Sequence, residues 1–128
     1  MCNQFFLGID GGTSYLKASI MDCNFNLVDE ERECVSVYTP FDGASETDMS
    51  DYWKRMCCMT HALKARNPEI WDKIAGVGVT GQGDGLWPVD EDGNPVRNAI
   101  LWNDTRSKVI GFESIEGLDD AVRSEYAN

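Results

Sequence analysis

Residues 5–9 form a near-continuous apolar run that stops at Asp10. A short apolar run ended by glycine predicts a buried strand over residues 5–10. Residues 15–22 alternate, with Leu16, Ala18 and Ile20 on one face, which predicts a half-buried second strand. Residues 22–26 read as a turn. Residues 27–38 predict a longer strand so rich in charge that it belongs near a sheet edge, where charge discourages stray pairing. The first third is therefore an antiparallel meander.

A loop with Pro40 and Gly43 is expected over residues 39–47, and a helix after it. Asp48 suits the N-cap, and Asp51 falls in the first turn, where negative charge meets the positive end of the helix dipole. Trp53, Met56, Thr60 and Leu63 recur at helical spacing, widened by Tyr52 and Met59, and predict a core-facing stripe. Asn67-Pro68 ends the helix, because proline disfavours helical backbone in the residue before it. His61, on this helix, is expected at the surface. Residues 74–80 predict another strand, 81–85 a glycine-rich loop, 86–90 a strand, 91–95 a turn and 98–102 a strand. Asn103-Asp104 looks like the cap of a helix over 105–114. Gly117 breaks it, and a short helix over 118–126 follows. A meander, a crossover helix and a further strand imply an α/β fold: a mixed sheet with helices on its faces.

Length and charge narrow this picture. The 128 residues make one ordinary domain. The formal net charge is −11, which argues against a nucleic-acid partner, since phosphate contact needs clustered Lys and Arg. No stretch has the length of a membrane span or of a signal-peptide core, so a cytoplasmic protein without membrane contact is expected. The five cysteines are odd in number and lack metal-ligand spacing, which predicts reduced, mostly buried thiols.

The chemistry lies in the loops. In Asp10-Gly11-Gly12-Thr13-Ser14 a glycine turn joins two strands. Such a turn can aim backbone N–H groups into a concavity that suits phosphate oxygens. Thr13 and Ser14 add hydroxyl donors, and Lys17 adds a compact positive charge. Asp10 would repel phosphate unless a divalent cation stands between them. A strand follows where a P-loop or a dinucleotide-binding turn would require a helix. Alone, this segment is also compatible with an ordinary hairpin turn. In Gly81-Gln82-Gly83-Asp84-Gly85 an acid among glycines follows a strand, well placed to accept hydrogen bonds from a polyhydroxylated ligand. Trp102 could wall a sugar pocket, or simply pack in the core.

In this order and spacing, "GIDGGTSYLKA", "ETDMSDYW" and "IAGVGVTGQGDGLWPVDEDGNPVRNAILWNDTR" resemble the N-terminal region of the FGGY carbohydrate kinases over nearly all of residues 5–106. The resemblance implies a ribonuclease H-like fold, the actin/hexokinase-type ATPase domain, here incomplete. It implies ATP and Mg²⁺ as cofactors and a sugar or polyol as substrate. Asp10, Gly11, Gly12, Thr13 and Ser14 match the first phosphate loop, with Asp10 near Mg²⁺, and Lys17 matches a position basic in several members. Gln82, Gly83 and Asp84 match the substrate loop. Glycerol kinases carry Arg-Glu after that Gln and D-xylulose kinases Met-His. Gly-Asp here looks closer to erythritol or L-xylulose kinases, and so to a tetritol or ketopentose substrate. Trp102 matches a substrate-pocket tryptophan, followed by Asn103 and Asp104 as in the xylulose-type branch.

In that family the catalytic base is an Asp further downstream, and a second domain completes the adenosine pocket. Residues 1–128 are therefore expected to be the N-terminal portion of the first kinase domain, inactive alone. The face left uncovered is expected to be apolar and to favour a homodimer. Two other readings compete: a different actin-like ATPase, and a non-catalytic sugar-binding module.

Overall fold

The structure, a computed structural model, describes residues 3–108. The expected helix over 118–126, and most of that over 105–114, lie outside the described residues.

The meander forms as its alternation requires. Strands β1 (Phe5–Gly11), β2 (Tyr15–Asp22) and β3 (Leu27–Cys34) pair antiparallel in sequence order. Helix α1 (Met49–Arg66) crosses back, and β5 (Ile74–Gly81) pairs parallel to β1. The sheet order is β3-β2-β1-β5, so the charged β3 is an edge strand. Because β2 shows alternate residues to each face, Leu16, Ala18 and Ile20 all point at α1 and are fully buried. With Leu7 they pack on Met56, Met59 and Leu63 of the helix. Burying each large side chain contributes about 1.5–3 kcal/mol.

α1 starts where expected: the Asp48 carboxylate accepts from the Ser50 and Asp51 backbone N–H groups at 2.8 and 3.1 Å. Its end is followed by a short helix, α2 (Pro68–Trp71), with the proline in the first turn, where it needs no hydrogen-bond partner.

Several expectations need correction. Trp53 is 69% exposed, not core. It sits one turn before Met56, where α1 meets residues 87–95 rather than the sheet. There it lines an open groove of ≈ 650 Å³ with Tyr52, Trp87 and Pro95. The expected strand over 27–38 ends at Cys34, and only Tyr38 regains a bridge, to Glu46. The expected loop over 39–47 contains strand β4 (Glu46–Thr47). The expected strand over 86–90 shrinks to β6 (Gly85–Leu86), and that over 98–102 to β7 (Ala99–Leu101). These three form a second, antiparallel sheet in the order β4-β7-β6. A helical turn begins at residue 106. Cys34 and Cys58 are free but exposed, and Cys23 is disulfide-bonded, so the thiols are neither uniformly buried nor uniformly reduced. His61 is exposed, as expected. No described helix is long and apolar enough to cross a membrane.

Candidate functional site

The parallel pair β1 and β5 ends in register, Asp10 beside Thr80 and Gly11 beside Gly81. Chain segments that leave the carboxyl ends of adjacent parallel strands diverge and leave a crevice between them. Here that crevice is an open cleft of ≈ 510 Å³. Asp10, Gly12 and Thr13 line it from the first turn, Gln82, Gly83 and Asp84 from the second, and Trp102 from the end of β7. The two glycine-rich loops singled out in the sequence are thus opposite walls of one cavity.

The turn after β1 is held from several sides. Asp10 and Lys17 are register partners across the hairpin, and their side chains form an ion pair at 3.8 Å, both partly exposed. The Gln82 N–H donates to the Gly11 carbonyl at 3.3 Å, which closes the two loops on each other. The Tyr52 hydroxyl donates to the Gly12 carbonyl at 3.2 Å, which ties α1 to the turn. Gly12 is needed for a steric reason: a Cβ there would lie 2.6 Å from the Tyr15 carbonyl oxygen, inside contact distance. Gly83 is different, since a Cβ there would meet nothing within 4 Å. Ser14, the last residue of the turn, gives its carbonyl to the Val35 N–H.

Trp102 reaches across the cleft. Its Nε1–H donates to the Thr13 hydroxyl oxygen at 2.9 Å, while the residue stays 60% exposed and presents its ring. Behind it the chain is fixed by a polar cluster. The Ser45 hydroxyl donates to Asn103 Oδ1 at 2.8 Å, and the Ser45 N–H donates to Asp104 Oδ2 at 2.9 Å. The Arg106 guanidinium bridges Asp104 and the buried Glu46 at 2.6 and 2.9 Å. That guanidinium, aided by the Ser45 N–H, holds the Asp104 carboxyl well below the usual carboxylate range. Asn103 and Asp104 are not among the cleft-lining residues; their carbonyl and carboxylate oxygens are engaged with Ser45 and Arg106. Asp84 is exposed.

Two contributors were not singled out in the sequence as site residues. Tyr52 reads there only as part of an apolar stripe, and its hydroxyl gives no periodic signal. Glu46 reads as one more charge in a loop.

Among the described residues, no three His, Cys, Asp or Glu side chains gather as a metal cage. A single accessible carboxylate fits Mg²⁺, which keeps most of its waters and is shared with phosphate oxygens. Asp10 is such a group.

A meander closed by a parallel strand, with a glycine turn and a cleft at the strand ends, is shared with sugar kinases of the actin/hexokinase-type ATPase fold, of which this chain forms part. Residues 5–124 match the FGGY family of carbohydrate kinases, N-terminal domain, and the chain belongs to that family. It is 35% identical over 109 residues to an L-xylulose/3-keto-L-gulonate kinase of Escherichia coli (strain K12), covering 84% of this chain and 22% of that one. It is 34% identical over 104 residues to an erythritol kinase of Brucella abortus (strain 2308), covering 81% and 20%. The crystal structure of a xyloylose kinase from Brucella ovis superimposes with a TM-score of 0.77 at 32% identity, covering 88% of this chain and 24% of that one. The chain spans about a fifth of the length of the curated relatives it matches.

Proposed function

We propose that the full-length protein carrying this chain phosphorylates a hydroxyl of a ketopentose or tetritol with ATP, in the cytoplasm. The observation that supports this reading is the Trp102–Thr13 hydrogen bond, which sets the exposed Trp102 ring beside the glycine turn after β1.

In this reading Asp84 accepts hydrogen bonds from sugar hydroxyls, and the space beside Gly83 admits the sugar. The exposed Trp102 ring packs on a C–H face of the substrate. Trp102 occupies a lone pair of Thr13 Oγ1, so the Thr13 O–H remains free to donate to a phosphate oxygen. Ser14 and the turn's backbone N–H groups add donors, and Lys17 adds positive charge near the transferred group. Asp10 would hold Mg²⁺, which when bound neutralises charge that develops on the phosphoryl oxygens. Asn103 and Asp104 act behind Trp102, fixing its position. The base that orients the attacking hydroxyl, and the domain that closes over the nucleotide, come from later parts of the protein.

The test is a coupled kinase assay on the full-length protein with a panel of ketopentoses and tetritols. One of them should support turnover, and Asp84→Ala should raise its KM roughly 10- to 150-fold, the loss of one charged hydrogen bond, with the KM for ATP unchanged. No turnover with any member of the panel would overturn the reading.

A further inference from the structure

The two loops of the cleft rest on one side chain. Tyr52 lies in the first turn of α1, edge-on to Trp87 with ring centroids 5.3 Å apart. Its hydroxyl donates to the Gly12 carbonyl at 3.2 Å. A Cβ added at Gly11 would stand 2.8 Å from that hydroxyl oxygen, so the turn is seated directly on it. The Gln82 side chain lies against the same hydroxyl and counteracts a pKa that burial, and to a lesser degree the Asp10 charge, push up. Both polar atoms of the Gln82 amide are buried.

We propose that Tyr52 is a positioning residue for phosphoryl transfer, setting the peptide of the Asp10-Gly11-Gly12-Thr13 turn from beneath while Gln82 backs it. The functional part rests on the kinase reading above. The physical reason is peptide planarity. In a trans peptide the carbonyl and the following N–H point in opposite directions. With the Gly12 carbonyl held toward α1, the Thr13 N–H is turned away from the helix, on the side where Gly12 and Thr13 line the cleft. A donor fixed in advance stabilises transition-state charge without reorganising during the reaction. Without the tyrosine hydroxyl this peptide can rotate, and the donor is oriented only part of the time. The glycine at position 11 follows from the same contact, because any side chain there would displace the hydroxyl.

The experiment uses Tyr52→Phe, Gly11→Ala and the double variant of the full-length protein, with thermal midpoints and steady-state kinetics for each. Tyr52→Phe should lower kcat about tenfold and leave the KM for sugar within twofold. Gly11→Ala should lower both kcat and the thermal midpoint. Adding Tyr52→Phe to it should restore part of the midpoint, since the oxygen that clashes is gone. A Tyr52→Phe enzyme with wild-type kcat would overturn the proposal, as would a double variant whose midpoint loss is the sum of the single losses. If the wild-type protein phosphorylates nothing, the kinase reading fails, and the midpoint coupling still decides whether Tyr52 seats the turn.

Discussion

Trp102 and Thr13, 89 residues apart in the chain, share a 2.9 Å hydrogen bond that closes one end of the cleft. The bond links the residue after β7 of the small sheet to the turn between β1 and β2 of the large one. Trp102→Phe keeps an aromatic face and removes the donor; Thr13→Val keeps the shape and removes the acceptor. Each should raise the KM for sugar in the full-length protein roughly 2- to 10-fold. The double variant should be no worse than either single one, because both remove the same interaction. Additive effects in the cycle would show that the two side chains act independently.

In the proposed reading Asp10 acts on the phosphoryl group and not on the sugar. Asp10→Asn keeps size and removes the charge that would hold Mg²⁺. We expect kcat to fall at least about 100-fold with sugar binding within twofold, measured by turnover and by equilibrium titration of the sugar. The Lys17 partner is then left without its ion pair, but both groups are partly exposed, so the thermal midpoint should move little. A normal kcat would reduce the turn to a structural hairpin.

The cluster behind Trp102 predicts a pH dependence. Arg106 holds the Asp104 carboxyl below its unfolded value. A carboxyl depressed in the folded state contributes stability that is present above the unfolded pKa of about 4 and is lost as pH falls further. The thermal midpoint should therefore drop as the pH falls below about 4. Asp104→Asn should lower the midpoint at neutral pH and flatten that acid slope. An unchanged slope would assign the acid sensitivity to another carboxylate, with Asp29 the next candidate, since Arg66 and Asn67 lower its pKa in the same way.

The 128-residue chain by itself should not turn over. In the proposed reading it would carry one wall of a nucleotide site and part of a sugar site, and an open cleft leaves transition-state charge in water, where dipoles and metal act weakly. A coupled assay on the purified chain with the same sugar panel checks this. A rate in the ordinary kinase range of roughly 1–100 s⁻¹ would place a base within these residues.

What the sequence determined by itself was local. Period-two alternation in residues 15–22 named the buried face of β2, and the same residues are the ones buried. Asp48 before an amphipathic stretch marked the start of α1, because a cap needs only its own next three residues. The two glycine loops were visible as breaks between apolar runs, and the stretches that contain them resemble a kinase family in residues, order and spacing.

What only the tertiary structure decided depended on what meets each face. Two residues carry no periodicity, so β4 could not be read before β7 was beside it. The stripe on α1 told which residues share a side but not where the sheet stops, and Trp53 lies past that limit. Asn103 and Asp104 have side chains suited to a sugar, yet Ser45 and Arg106 engage them. Tyr52 under Gly12 and Trp102 over Thr13 are contacts between segments 40 and 89 residues apart. No local pattern records such pairs, because each arises only when packing of the sheet and helix brings the two segments to the same place.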